Sequence, residues 1–469
     1  MILSVFDILK TGVGPSSSHT LGPWNAARKW IRELKNFSIL SEVEKVKITL
    51  YGSLALTGKG HATDKALMLG LSGEDPERID ITKISSIIKK ISNEKRIVID
   101  EKYIPFNEEE DIFFNKSEEL PFHSNGLKFE ALRKDNSLLQ TSVYYSLGGG
   151  FILRENEVES FSRLKPEFYC FSSQELLLLC KQTGKAVSDI VLLNEKTWRD
   201  EEDIKRKLLE LWNIMKEAAY IGCHTEGILP GGLKVKRRAA EMNRQLLRVS
   251  NYSDADGWME AMKVGRDFRK VIMRISCLAI AVNEVNASMG RIVTAPTNGS
   301  AGVIPAVLFY YLCFSGKETK DEDICRFLLT ASEIGRFFKT GATISAAAGG
   351  CQAEIGVSSS MAAGALTECL GGTPDQVLMA AEIAAEHHLG MTCDPVGGLV
   401  QIPCIERNSM GAVKAVTASM IALASDPQSA KVSLDSVIRT MKETAENMSK
   451  KYKETSLGGL AVNVGMAEC

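Results

Sequence analysis

The hydrophobic period changes once along these 469 residues, and that single change limits the folds open to the chain. Before Gly148, Gly149 and Gly150, apolar and polar residues tend to alternate. Val46, Ile48 and Leu50 flank Lys47 and Thr49, the period of a strand with one buried face. Residues 96–100, 127–131 and 141–145 read as further short strands, and 63–71 and 81–91 as helices. From about Ser172 the strand pattern fades and helical spacing governs 201–221, 258–288, 321–338, 374–388 and 434–451. The three glycines, followed by a polar stretch at 154–165, separate the two regimes. The pattern predicts an α+β N-terminal domain (1–153), a linker (154–171) and a predominantly α-helical domain (172–469). One hydrophobic core does not serve a chain of this length.

Charge and hydropathy remove several functional classes. A formal net charge of -2 gives no electrostatic basis for nucleic acid or an anionic membrane, and the basic run at Lys234, Lys236, Arg237 and Arg238 lacks interleaved aromatics. The most apolar stretches, 271–285 and 411–425, carry Arg274 and Lys414 and fall short of the ~20 residues a membrane span needs. Residues 1–10 do not form a signal peptide, so a cytoplasmic location is the default. The expected partner is a small molecule, and the expected assembly is a homodimer, the common soluble form.

Eleven cysteines in a reducing compartment are expected to be buried, metal-binding or catalytic. Cys170, Cys180, Cys277, Cys313 and Cys325 sit in helix-like apolar contexts and read as core. Cys351 follows Gly349 and Gly350, Cys393 precedes Asp394 and Pro395, and Cys404 follows Pro403. Helix breakers at all three suit ligands projecting from turns, and three soft thiolates suit an iron–sulfur cluster or zinc. The spacing lacks compact C-x2-C pairs and decides nothing alone. A cluster with three protein thiolates would leave one iron open as a Lewis acid, which favours dehydration over electron transfer. Residues 340–366 are crowded with Gly, Ala and Ser, allowing close helix packing or close backbone approach to a compact ligand.

Histidine is scarce, with six in all. His19 follows Ser16, Ser17 and Ser18, and His61 lies in a Gly-rich turn entering a helix; either imidazole suits a general base, and either turn suits plain capping. His387 and His388, late in a helix, read as structural or surface residues. Thr297, Asn298, Gly299 and Ser300 form a turn before an apolar helix, able to clamp a carboxylate or simply to cap.

Together these segments resemble the bacterial iron–sulfur L-serine dehydratase family. The resemblance rests on 14–20 (GPSSSHT), 51–61 (YGSLALTGKGH), 229–239 (LPGGLKVKRRA), 295–302 (APTNGSAG), 347–356 (AAGGCQAEIG) and 386–408 (EHHLGMTCDPVGGLVQIPCIERN). It runs along the whole chain in family order. It implies a 4Fe-4S cluster on Cys351, Cys393 and Cys404, a base at His61, an assisting His19, and nearby roles for His123 and Asn286. It implies an N-terminal domain resembling an allosteric substrate-binding module, a helical catalytic domain, and L-serine as substrate. The expected chemistry holds the carboxylate at residues 16–18 and 297–300 and removes the α-proton at His61. Cys469, serine with sulfur for oxygen, is expected to curl inward as an autoinhibitory fourth iron ligand. A pyridoxal-phosphate dehydratase would need a Schiff-base lysine in a convincing motif beside a loop such as 148–150. An iron–sulfur sensor would need a partner surface that the charge balance does not provide.

Overall fold

The computed structural model describes residues 2–157, 164–247, 251–265 and 267–464. The predicted stretch at 154–165 lies partly outside these residues, and Cys469 wholly outside them.

Nine strands are found among the described residues: β1 (Thr11–Val13), β2 (Lys45–Tyr51), β3 (Arg96–Ile99), β4 (Lys102–Pro105), β5 (Ile112–Asn115), β6 (Gly126–Leu132), β7 (Leu138–Ser146), β8 (Ile152–Arg154) and β9 (Arg291–Val293). Five of them form one sheet in the order β5-β2-β6-β7-β8, with β2 parallel to β5 and antiparallel to β6. The alternation at 46–50 works as read: Val46, Ile48 and Leu50 are buried while Lys47 faces solvent. That buried face joins one core with helices α1 (Gly22–Asn36), α2 (Gly52–Thr57), α3 (Thr63–Leu71) and α4 (Ile84–Glu94). Trp30 of α1 stacks on Phe129 of β6 at 4.9 Å and donates its indole N–H to Gln140.

From Ser173 to Asn463 the chain is almost entirely helical. The helices that position the site are α5 (Glu201–His224), α6 (Phe268–Asn286), α7 (Val303–Phe314), α8 (Asp321–Gly341), α9 (Ile355–Cys369), α10 (Pro374–Glu386), α11 (Cys404–Ala424) and α12 (Leu434–Asn447). Every residue of α9 is buried, and α7, α8, α10 and α11 pack around it. Its small residues permit this: a Cβ on Gly364 would lie 2.3 Å from a methyl of Ile334. The helix expected over 258–288 is broken. Gly265 is left-handed at φ +81, and Asp267 caps α6 by accepting the N–H of Lys270. No helix among the described residues is long and apolar enough to cross a membrane.

The two regions interlock rather than merely touch. β1 pairs antiparallel with β9, Gly12 opposite Ile292, and Leu3, Val5, Ile8 and Leu9 join the helical core. The loop after β1, carrying residues 14–19, is thereby held at the seam. Gly148, Gly149 and Gly150 all have positive φ, and a Cβ on Gly148 would meet the Ile344 carbonyl at 2.7 Å. That triplet is a close-packed turn against the helical region.

Candidate active site

Three segments of the helical region deliver the three singled-out cysteines, all buried. After α8, a single turn (Ala346–Gly349) ends at Gly350, whose φ of +72 only glycine adopts easily; a Cβ there would lie 2.6 Å from the Met391 carbonyl. This close approach sets Cys351 beside Cys393, with both sulfurs and a Glu354 carboxylate oxygen within 4.8 Å of one another. Cys393 donates its N–H to the Tyr452 carbonyl and accepts at its own carbonyl from the Glu454 N–H, each at 2.8 Å. Cys404 opens α11, where the helix dipole favours a thiolate. Arg407, one turn further, donates to the Thr392 carbonyl at 2.6 Å and lies 3.4 Å from the Asp394 carboxylate.

The electrostatics separate the three thiols. A hydrogen bond from the Cys393 thiol and the nearby Arg407 charge outweigh burial and hold Cys351 down to about 7. Sharing with Cys351, together with burial, raises Cys393, and burial raises Cys404. Burial and the neighbouring negative groups raise Glu354 well above the carboxylate range. Three buried sulfurs from three turns, with one guanidinium to offset their charge, fit a cluster held by thiolates.

The N-terminal region supplies the imidazoles. Ser16 accepts the His19 N–H at 3.1 Å and starts a π-type turn (Ser17–Leu21) that runs directly into α1. Thr20 donates to the His61 carbonyl at 2.8 Å, and Thr63 to the His19 carbonyl at 2.6 Å, so the two turns fix each other. The rings lie 4.5 Å apart between centroids. A Cβ on Gly60 would meet the Gly398 carbonyl at 2.3 Å, so the His61 turn rests directly on the segment after Cys393. His61 Nδ1 faces the Thr57 carbonyl at 2.8 Å, and His19 Nε2 faces Ser53 Oγ at 3.0 Å. Burial pulls His19 down to about 4, so its ring is neutral near pH 7.

Glu454, which sequence reasoning passed over, completes this group. Its carboxylate is buried 3.5 Å from His19 Nδ1 and 3.4 Å from His61 Nε2. Burial works to raise it, but the two imidazoles prevail and hold it below its usual range. Its carbonyl accepts from Ser53 at 2.7 Å and Thr57 at 3.3 Å. Nothing local marks it, since it sits among Lys450, Lys451 and Lys453 like a solvated acid. Glu354 was also missed; a lone acid three residues after Cys351, in an otherwise small and apolar run, was the available signal.

The remaining expected residues divide. Residues 16–18 and 297–300 do meet: Ser17 donates to Asn298 Oδ1 at 2.6 Å and accepts the Asn298 N–H at 2.8 Å. Asn286 donates to the Pro15 carbonyl at 2.8 Å, tying the same loop to the end of α6. Thr297 and Ser300 share a hydroxyl contact at 3.0 Å, and the Gly299 carbonyl accepts from Asn408 at 2.7 Å. His123 borders a cavity of about 470 Å³ whose walls include Ser53, Ala347, Lys453 and Thr455, next to the imidazole pair. His387 is exposed, and His388 is buried on the Ala384 carbonyl. Among the core cysteines, Cys325 is only partly buried.

Comparison with known proteins agrees along the whole chain. Residues 4–157 match the family model for the serine dehydratase beta chain, and residues 182–461 that for the alpha chain. A protein of Streptomyces coelicolor called L-serine dehydratase is 49% identical over 470 residues, covering 99% of each chain. L-serine dehydratase 1 of Escherichia coli is 42% identical over 99% of each chain, and an L-serine dehydratase of Mycobacterium bovis is 44% identical over 100% of each.

Proposed function

This chain belongs to the serine dehydratase family, with beta-chain and alpha-chain regions in one polypeptide, and we propose that it converts L-serine to pyruvate and ammonia at a 4Fe-4S cluster. The observation that carries the reading is the meeting of two sets of residues. Cys351 and Cys393 lie together with Cys404 near enough to act on both electrostatically, and Glu454, which touches His19 and His61, acts on all three thiols.

Cys351, Cys393 and Cys404 hold the cluster, which when bound supplies an open iron as a Lewis acid for departure of the serine hydroxyl. Arg407 offsets the charge of the three sulfurs. The substrate carboxylate lies between the widened helix start at residues 16–18 and the turn at 297–300, where backbone N–H groups and hydroxyls face an anion. Because Ser17 and Asn298 already bind each other, they fix the distance between the two turns.

His61 is the base for the α-proton. Its Nδ1–H is held by the Thr57 carbonyl, which leaves Nε2 as the nitrogen free to take a proton. His19 shares the pocket and positions the substrate, and Asn286 secures the loop carrying His19. His123 stands at the adjoining cavity, the route by which a small amino acid arrives. Loss of the α-proton and hydroxyl gives 2-aminoacrylate, which tautomerises and hydrolyses to pyruvate and ammonia without further help.

The test is anaerobic purification with iron, sulfide and pyruvate formation measured on one sample. Activity should follow cluster content. A colourless, iron-free preparation that still deaminates serine would sink the reading.

A further inference from the structure

We infer that His19, His61 and Glu454 form the receptor for the α-ammonium group of the substrate. The inference rests on the serine reading above and assigns to that site the contact that recognises an amine.

The hydrogen positions follow from the neighbours. The Ser53 hydroxyl gives its hydrogen to the Glu454 carbonyl at 2.7 Å, so toward His19 it is an acceptor and the hydrogen between them sits on His19 Nε2. His19 Nδ1 is then a lone pair. The Thr57 carbonyl only accepts, so His61 carries its hydrogen on Nδ1 and bares Nε2. Both bare nitrogens face the Glu454 carboxylate, at 3.5 and 3.4 Å. With the hydrogens placed in this way, three acceptors surround one space. His19 Nδ1 and Glu454 Oε2 have no hydrogen-bond partner among the described residues. Buried acceptors left in this way are costly until a donor arrives.

Size, charge and donor count select the ligand. Three atoms no more than 4.8 Å apart can all lie about 2.9 Å from a single nitrogen, an ordinary hydrogen-bond length. The cage carries one carboxylate and so neutralises one positive charge. A primary ammonium is matched in charge by the one carboxylate and offers three N–H donors to three acceptors, while a divalent ion on the same two imidazoles and carboxylate is the rival occupant that the metal assay below decides. Ser53 and Thr455, which flank the cage through His19 and Glu454, also line the adjoining cavity, so that cavity reaches the cage's neighbours while the three cage residues themselves are buried behind them. Once the nitrogen is held there, Cα is one bond away; for the α-proton to leave, the single lone pair of His61 Nε2 exchanges its ammonium N–H for the Cα hydrogen, and His19 Nδ1 and Glu454 keep the nitrogen in place. Glu454 is thus a specificity residue that also orients the bond to be broken.

The test compares L-serine with L-glycerate, which keeps the carboxylate and carbon skeleton but replaces the ammonium by a hydroxyl. Glycerate affinity is measured by anaerobic calorimetry on the cluster-loaded enzyme, and serine affinity by its KM where it is turned over or by the same calorimetry where a variant has lost turnover. The wild type should bind serine at least about tenfold more tightly than glycerate, the scale of a lost charge-assisted hydrogen bond. Glu454→Gln should weaken serine until the two ligands lie within about threefold of each other, leave glycerate near its wild-type affinity, and be largely rescued by Glu454→Asp. Equal wild-type affinities for the two ligands overturn the receptor without requiring any variant to fold. So does a Glu454→Gln change that weakens both ligands by the same factor, the mark of a structural role. Stoichiometric metal beyond the cluster, lost in Glu454→Gln, would replace the ammonium by an ion. Turnover of serine with unselective binding sinks the receptor alone, and no turnover at full cluster loading sinks the dehydratase reading with it.

Discussion

Cys313 and Cys351 are equally buried in the same helical region, yet their surroundings drive the two thiols apart. Cys313 lies inside α7 among packed side chains, and burial pushes it up to about 12. Cys351 follows a left-handed glycine, faces Cys393 and Arg407, and is held down to about 7. Burial is common to both, so it does not mark a ligand. A break in the helix, a second sulfur and an offsetting cation do.

The strongest way to break this contrast is to remove a sulfur from the junction. Cys393→Ser should strip iron and sulfide and lower pyruvate formation more than about 100-fold, beyond the 10–100-fold typical of an outer-shell change. Iron analysis beside a pyruvate assay reads both; full iron with normal activity would erase the distinction between the two cysteine classes. His61→Ala should keep the iron yet lower kcat by about 10²–10⁴-fold, showing that the junction needs its imidazole as well as its sulfurs.

Arg407→Leu tests the cation. A thiol held below its ordinary value is a thiolate above that value and is lost as pH falls through it, so iron retention should weaken below about pH 7 in the wild type. Without the guanidinium Cys351 rises, the loss should begin at higher pH, and iron affinity should drop by about 10–100-fold. Iron retention titrated from pH 9 to 6 in both proteins checks the sign. The smallest effect belongs to the core: Cys313→Ala should leave iron and turnover unchanged and cost about 1–2 kcal/mol of stability, measured by denaturant unfolding where the transition is reversible.

The same division explains what could be read in advance. The sheet was legible because Val46, Ile48 and Leu50 alternate against one core, and the close packing around α9 was legible in part, because Gly, Ala and Ser crowd it while leaving both helix packing and ligand approach open. The interruption before α6 was not, because the period on either side of Gly265 is the same and only a cap at Asp267 marks the break. The three candidate cysteines and both imidazoles stood out through local breakers. Glu454 did not, since all that makes it special comes from His19, His61 and Cys393, each distant in sequence. Nor did the mutual locking of Ser17 with Asn298, 281 positions apart.

The backbone stitch at Cys393 and Glu454 has a consequence for biosynthesis. Cys351, Cys393, Cys404 and both imidazoles leave the ribosome before Glu454 does, so a nascent chain can carry these five residues while its pocket is still open on one side. Only when the segment following α12 lies down beside Cys393, with its carbonyl on Ser53 and Thr57, are the sheet-bearing and helical regions fastened across the pocket. The order of synthesis thus keeps unfinished chains without their carboxylate, and the late-made segment carrying Glu454 is the one that closes this side of the site.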